Sequence, residues 1–205
     1  MNAKINVNSH SSIQINDFFF DPYNITDNLR KAKAIFLTHT HYDHLSIEDI
    51  NKIVSKETIF VATKDAKPVL DENYKDNKKI FVGPNEKFEL LGATVETFPA
   101  YNITKPFHKK EFGWVGYKLT INGETFAVVG DSDKTNELEQ LKCDVLFVPI
   151  GGTYTMNGPE AAALTNIVKP KLVVPTHYNA IVGTKKDEKE FLSHLDRSIN
   201  FKIFL

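Results

Sequence analysis

Short runs with the alternating pattern of β-strands dominate the first quarter of the chain. Runs rich in Ile, Val and Phe cover residues 4–8, 11–16 and 18–21 and are separated by Asn-Asp and Asp-Pro turn signals, which is typical of an antiparallel meander. Residues 34–37 (AIFL) form a continuous apolar run, as in a strand buried on both faces. This run ends just before the histidine-rich segment 39–44. That segment is therefore predicted to lie on a loop at the C-terminal end of a buried strand.

After this segment the apolar positions follow a helical period. Ser46 precedes apolar residues at positions 47, 50, 53 and 54, which indicates a capped amphipathic helix. Further strands are predicted at residues 58–62, 87–91, 94–98, 114–121, 125–129, 145–148 and 172–174, and further helices at 160–168 and 187–195. The charged stretch 71–79 is expected to be a solvated loop. Antiparallel strands followed by strand–helix alternation favour layered sheets flanked by helices.

Length, charge and cysteine content limit the class of protein. The 205 residues, of which 41% are hydrophobic, suit one domain over residues 1–205. The formal charge of -1 provides no overall field toward nucleic acid or an anionic membrane, so neither is expected as a partner. Cys143 is the only cysteine, and the sequence MNAKINVNSH at the start lacks an apolar signal region. We therefore expect a cytoplasmic protein, and the oligomeric state stays open.

The segment 39–44 contains three imidazoles and one carboxylate, from His39, His41, Asp43 and His44. Nitrogen and oxygen donors of this kind suit Zn²⁺, Mn²⁺ or Fe. Histidines two apart in an extended loop project to the same side, so His39 and His41 can share one ion while Asp43 and His44 turn toward a second position. Two neighbouring ions can activate water and polarise a carbonyl or phosphoryl oxygen. We predict one or two divalent ions, with zinc ahead of manganese and iron.

Two more candidate ligands stand at the ends of later apolar strands. Asp131 follows the strand at 125–129 within the segment GDSD, and His177 follows the strand at 172–174 within PTHY. Each of them alone also fits a helix-capping aspartate or an ordinary loop histidine. Together with the dense histidine segment they are predicted to be metal ligands.

The order HTHYDH, GDSD and PTHY resembles the metallo-β-lactamase superfamily, and the resemblance covers nearly the whole chain. It implies an α+β fold, a four-layer αββα sandwich with metals at the sheet edges. The segments HSS (10–12), DP (21–22), GGTYTM (151–156) and EAA (160–162) are similar to the branch of short, stand-alone hydrolases that includes the ascorbate-phosphate lactonases.

The resemblance also implies a set of roles for individual residues. It places metal ligands at His39, His41, Asp43, His44, Asp131 and His177. It implies that Asp131 bridges two ions and that Asp43 is also catalytic, because it orients or deprotonates the attacking water. Where the superfamily usually supplies a third histidine to the first metal, this chain has Asn102, whose amide oxygen is a poor zinc ligand. His108, six residues later, is expected to fold back and complete the first site; without it, one metal is favoured over two.

Four other residues fit two roles each. His10 either lines the site or stabilises a turn, and Asp21 either anchors a metal ligand or begins the Asp-Pro turn. Tyr154 and Met156 either form a wall of the substrate pocket or pack on the core.

The predicted function is that of a metal-dependent hydrolase acting on a small molecule. One or two ions would activate water against an ester, lactone, amide or phosphodiester bond. A phosphodiesterase or nuclease of the same fold is the first alternative, which the near-neutral charge disfavours. A non-enzymatic metal-binding or sensor module is the second, and it would hold the metal in a closed site without an open coordination position.

Overall fold

The structure is a computed structural model that describes residues 3–27 and 29–205. The chain divides into two compact units, Met1–Gly83 and Pro84–Leu205, called here the N-terminal and C-terminal units. Each unit contains a sheet with both parallel and antiparallel pairs, together with helices. The predicted α+β class is confirmed, and the predicted single domain over residues 1–205 stays a prediction.

The described part of the N-terminal unit contains six strands in sequential order in one sheet. They are β1 (Ile5–Ser9), β2 (Ser12–Ile15), β3 (Phe18–Phe20), β4 (Ala34–Leu37), β5 (Ile59–Thr63) and β6 (Lys79–Val82). The helices are α1 (Ile47–Ile53) and α2 (Lys67–Asn73), with a 3-10 turn at Lys64–Ala66. Strands β1 to β3 pair antiparallel, as the predicted meander requires, and β3 to β6 pair parallel. The ends of β3 and β4 therefore lie at the same edge of the sheet.

Strand β4 is buried on both of its faces, as its continuous apolar run predicts. All four of its residues are fully buried. The Phe36 ring stacks on Phe20 at 4.7 Å between centroids, whereas Ile35 and Leu37 join a hydrophobic cluster with Ile50 of α1. Burial of a side chain of this size contributes roughly 1.5–3 kcal/mol. The histidine-rich loop therefore starts from a firmly packed strand end.

Helix α1 follows this loop and is fixed at its first turn. The Ser46 hydroxyl accepts a hydrogen bond from the Asp49 backbone N–H, and the Asp49 carboxylate accepts from the backbone N–H groups of Asn24 and Ile25. Burial raises the pKa of Asp49, but the hydrogen bonds from Ser46, Lys52 and these N–H groups together hold it below its ordinary value. The ionised Asp49 thus fastens the segment after β3 to the helix after the histidines.

Only the middle of the charged stretch 71–79 is the solvated loop that the sequence predicts. It begins with the last turn of α2 and ends in β6. Leu70 and Tyr74 are buried in the core of the N-terminal unit, and Lys67 forms an ion pair with Asp71 one turn later in α2. Burial of the apolar residues on one face therefore stabilises helix α2, although the other face is charged.

The described part of the C-terminal unit contains seven strands in one sheet, in the order β13-β12-β11-β10-β9-β8-β7. Its strands are β7 (Lys87–Leu90), β8 (Ala93–Pro99), β9 (Val115–Ile121), β10 (Glu124–Val128), β11 (Val145–Pro149), β12 (Leu172–Thr176) and β13 (Asn200–Phe201). Its helices are α3 (Asn136–Glu139), α4 (Gly158–Val168) and α5 (Lys185–His194), with a 3-10 turn at Lys110–Phe112. The sequence did not predict α3 and β13, which are too short to show a period.

The direction of the strands positions the C-terminal unit's candidate ligands. Strands β7 to β10 pair antiparallel, whereas β10, β11 and β12 run parallel. The carboxyl ends of parallel strands meet at one edge of a sheet, where α/β proteins place their ligands. Asp131 and His177 follow β10 and β12 and therefore lie at the same edge.

No helix within residues 3–27 and 29–205 combines the length and the apolar character needed to cross a membrane.

Candidate metal centre

In the N-terminal unit two imidazoles converge on one carboxylate. Asp43 Oδ2 lies 3.1 Å from His10 Nε2 and 3.5 Å from His44 Nε2. One donor atom from each of these residues lies within 4.8 Å of the other two. Both imidazoles are fully buried, and the Asp43 side chain is 12% exposed. The structure thus places the predicted residues Asp43 and His44 side by side and adds His10.

Asp21 orients His44 from behind. Its Oδ1 accepts from the backbone N–H of Thr38 at 2.8 Å, and its Oδ2 accepts from the Thr38 hydroxyl at 2.7 Å and from His44 Nδ1 at 2.8 Å. An ionised carboxylate only accepts hydrogen bonds, so Nδ1 of His44 carries a proton, and in the neutral imidazole that a metal binds Nε2 presents its lone pair. Of the two roles that the sequence left open for Asp21, the structure therefore supports the anchoring of a ligand.

The Thr38 hydroxyl extends this orientation to His39. Because the hydroxyl gives its single hydrogen to Asp21, it must accept from His39 Nδ1, which lies 3.0 Å away. Nε2 of His39 then presents its lone pair, 3.1 Å from Nδ1 of His41. The His39 and His41 rings meet edge to face with centroids 4.7 Å apart. The two histidines converge as their spacing predicts.

In the C-terminal unit a second carboxylate lies between two imidazoles. Asp131 Oδ2 is 3.0 Å from His177 Nε2 and 3.3 Å from His108 Nε2, and all three side chains are buried. His108 does fold inward, as expected for a replacement ligand, and its ring packs on Trp114 at 5.5 Å between centroids. The structure brings Asp131, His177 and His108 together.

Asn102 lies behind His108. Its Oδ1 is 3.0 Å from His108 Nδ1, its Nδ2 donates to the Tyr154 carbonyl at 2.9 Å, and its backbone N–H donates to the His108 carbonyl at 2.6 Å. Asn102 therefore contacts His108 on the ring nitrogen that faces away from Asp131.

The donors of both clusters fit a divalent transition metal. In the N-terminal unit the lone pair of His44 Nε2 and the Asp43 carboxylate oxygen, both acceptors, are 3.5 Å apart. Two acceptors at this distance repel each other unless positive charge lies close to both. Imidazole nitrogens combined with carboxylate oxygens are the donors that zinc, manganese and iron accept.

The other residues near the candidate ligands differ in their burial. Met156 is fully buried in the hydrophobic cluster of the C-terminal unit, so it packs on the core. Tyr154 is half-buried, and its ring meets Phe107 edge to face at 4.7 Å. Tyr42, between the candidate ligands His41 and Asp43, is 66% exposed.

Three residues of these clusters have an unusual backbone. His10, Asp21 and His177 have φ angles of 46°, 44° and 56°, in the left-handed region that L-residues seldom adopt. Beside His177, a Cβ atom on Gly151 would lie 2.2 Å from the His177 carbonyl oxygen. Glycine at position 151 is therefore required for this close approach. Strained backbone of this kind is typical of functional sites.

Sequence reasoning missed the Thr38 hydroxyl and did not decide on His10. Thr38 acts through hydrogen bonds that depend on side-chain rotamers, which leave no periodic signal. The turn at His10, between β1 and β2, brings its imidazole to Asp43, 33 positions further along the chain. Its only sequence signal is a polar His-Ser-Ser segment at a strand end.

Comparison with known proteins gives matches over most of the chain. A model of the beta-lactamase superfamily domain matches residues 8–178. The UPF0173 metal-dependent hydrolase of Natranaerobius thermophilus is 25% identical over 98% of this chain and 95% of its own length. A Parabacteroides distasonis protein, proposed to be a metal-dependent hydrolase, has a crystal structure that superposes with a TM-score of 0.84. The two sequences are 26% identical, and the match covers 98% of this chain and 92% of that chain. A metallo-beta-lactamase fold protein from Bacillus subtilis superposes with a TM-score of 0.74 at 16% identity, covering 98% and 95%.

Proposed function

Because the chain belongs to the beta-lactamase superfamily, we propose that it hydrolyses an ester, lactone, amide or phosphodiester bond of a small molecule at one or two divalent metal ions. Its broad class, metal-dependent hydrolase, is that of the relative that matches 98% of its length. The observation that carries the proposal is the network of Asp21 and Thr38, which holds two histidine rings so that their Nε2 atoms face other candidate ligands. Such fixed tautomers are typical of metal-binding histidines.

The donors of both clusters are proposed as the metal ligands. These are His39, His41, Asp43, His44, His108, Asp131 and His177. Support comes from the order of the motifs along the chain and from the orientation of the donors within each unit. Asp131 is the proposed bridging ligand, since two imidazole nitrogens lie within 3.3 Å of a single oxygen of its carboxylate. Zinc is the proposed metal, with manganese or iron as alternatives.

Asp43 is the proposed catalytic residue. When bound, a divalent metal supplies Lewis acidity and lowers the pKa of a water molecule. The Asp43 carboxylate, partly accessible to solvent, can orient the attacking water and accept its proton. His10, whose Nε2 lies 3.1 Å from Asp43 Oδ2, holds the carboxylate in place.

An open surface pocket in the C-terminal unit is the candidate place for part of a small-molecule substrate. It has a volume of about 520 Å³ and is lined by Tyr101, Asn102, Ile103, Thr104, Lys105, Pro106, Lys109, Lys110 and Glu111. These residues belong to the loop that also carries His108. Cavities of this size hold small organic ligands.

Metal analysis combined with a hydrolysis screen tests the proposed function. We expect protein purified without chelators to carry one to two equivalents of zinc, manganese or iron, roughly in line with the donors available. We also expect it to hydrolyse at least one class among lactones, phosphodiesters and thioesters, and chelation should abolish the activity. Metal without any hydrolysis would favour a sensor module. Protein free of transition metal would refute the proposal.

Replacement of Asp43 by asparagine tests its catalytic role. We expect kcat to fall by about 10²- to 10⁴-fold with KM little changed, because a group that moves a proton acts mainly in the transition state. Steady-state kinetics at equal metal content measures both constants. The matched control is Asp65→Asn. Asp65 accepts a hydrogen bond from Thr40, which lies in the same histidine-rich loop as Asp43. A raised KM at constant kcat would assign Asp43 to substrate binding instead.

A further inference from the structure

The side-chain amide of Asn102 has only one orientation that satisfies its neighbours. Its Nδ2 donates to the Tyr154 carbonyl at 2.9 Å. A flipped amide would put Oδ1 against that carbonyl oxygen, and two acceptors would face each other. Oδ1 must therefore face His108 Nδ1, at 3.0 Å, as an acceptor. A neutral imidazole satisfies this contact only with its proton on Nδ1.

The same residue also fixes the backbone of His108. The Asn102 backbone N–H donates to the His108 carbonyl at 2.6 Å. His108 is 1% exposed and Asn102 is 7% exposed, and the His108 ring packs on Trp114. Backbone and ring are thus both held, which leaves Nε2 directed toward Asp131 Oδ2 at 3.3 Å.

We propose that Asn102 is a positioning residue that holds His108 as the Nδ1-protonated tautomer and so presents the Nε2 lone pair to a metal ion. The inference rests on the proposed function, in which His108 is a ligand. A partner that accepts a hydrogen bond from the distal nitrogen of a ligating histidine fixes the ring and raises its basicity, and loss of such a partner typically lowers metal affinity about 10- to 100-fold. Asn102 has the required position without being a ligand.

A purely structural role for Asn102 is the competing explanation. In that case the essential contact would be the bond from Nδ2 to Tyr154, which links two loops. The two contacts can be separated, because aspartate at this position keeps an acceptor for His108 but loses the donor to Tyr154. Leucine has a similar size and loses both.

The test compares Zn²⁺ affinity of the full chain and of three variants, Asn102→Leu, Asn102→Asp and Asn166→Leu, by competition with a chromophoric chelator. Asn166 is the matched control, since its Nδ2 also donates to a backbone carbonyl, that of His194 on the surface. We expect Asn102→Leu to lower the affinity about 10- to 100-fold, Asn102→Asp to stay within a few-fold of wild type, and Asn166→Leu to bind as wild type does.

NMR of the zinc-loaded proteins gives a second readout that does not depend on activity. The His108 Nδ1 proton should exchange slowly with water in wild type and in Asn102→Asp, and it should exchange fast in Asn102→Leu. If leucine prevents folding, Asn102→Ala takes its place in both measurements.

Three results would overturn the inference. Equal affinity for zinc in wild type and Asn102→Leu would refute the positioning role alone, whatever the hydrolysis screen shows. Equal losses in Asn102→Asp and Asn102→Leu would assign Asn102 to the structural contact with Tyr154. Wild-type protein that binds no zinc would overturn both the inference and the metal site on which it rests.

Discussion

Alanine at both His39 and His41 is expected to remove about one equivalent of metal and to reduce hydrolysis to background, since these imidazoles are the donors proposed for one ion. Metal-binding energy is also folding energy. At free metal about 1,000-fold above the dissociation constant, loss of one site removes roughly 4 kcal/mol of stability, or about 8–16 °C in melting temperature for a chain of this size. In the presence of chelator the variant and the wild type should melt at similar temperatures.

The control for this double variant is His194→Ala. His194 is the last residue of α5 and is exposed, with Nδ1 near the Glu190 carbonyl oxygen. This variant should keep the metal content and the melting temperature of the wild type. Elemental analysis and thermal melts with and without chelator measure both quantities. A double variant with unchanged metal content and melting would remove His39 and His41 from the proposed ligands.

Asn in place of Asp131 is expected to have an equally large effect on metal binding. The variant keeps the shape of the side chain but loses the negative charge that two imidazole nitrogens approach within 3.3 Å. Loss of one member of a buried charge pair costs about 3–5 kcal/mol, which corresponds to a fall in metal affinity of roughly 10²- to 4 × 10³-fold. Hydrolysis at limiting metal should fall by the same factor.

A structural aspartate of the same unit provides the control for Asp131. Asp144 accepts from the backbone N–H and the hydroxyl of Thr125, and the hydrogen bond from Lys171 is the largest cause that lowers the pKa of Asp144 to about 2. Because its folded-state pKa is depressed, its stabilisation is complete above the unfolded value of about 3.9 and is lost as the pH falls through the folded value.

Measured near neutral pH, Asp144→Asn should therefore lower the melting temperature of metal-free protein and leave metal affinity unchanged. Asp131→Asn should lower the metal affinity and leave the melting temperature of metal-free protein unchanged. Isothermal titration with Zn²⁺ and melts in chelator distinguish the two variants. Full metal affinity in Asp131→Asn would show that the carboxylate is not a ligand.

The features that the sequence predicted correctly all depend on local patterns. The continuous apolar run of β4 and the dense histidines after it occupy neighbouring positions, so neither needs knowledge of the fold. Asp131 and His177 were singled out because each follows an apolar run that predicts a strand, and the structure places both after strands of one sheet. The predicted metallo-β-lactamase-like fold is confirmed by solved structures that match nearly the whole chain. The predicted enzyme class, metal-dependent hydrolase, is confirmed by the relatives.

The features that the sequence did not predict depend on distant contacts or on rotamers. His10 contacts Asp43 from the turn between β1 and β2, where His10 itself has a left-handed conformation. The contacts of Thr38 and Asn102 are visible only once the positions of the side chains are known. Helix α2 was missed because its charged face obscured Leu70 and Tyr74. The ligand roles, the choice of zinc and the cytoplasmic location stay predictions.

In the proposed metal centre, the left-handed backbone at His10, Asp21 and His177 would make selection for stability and selection for function favour different residues. A non-glycine residue with left-handed backbone costs about 1–2 kcal/mol of conformational free energy. Glycine and asparagine adopt this conformation more readily. A library selected only for heat resistance in chelator would therefore drift toward those two residues at these positions. The same library selected for growth on a hydrolysed nutrient would retain His and Asp. The positions at which the two populations diverge would locate the active centre without any knowledge of its substrate.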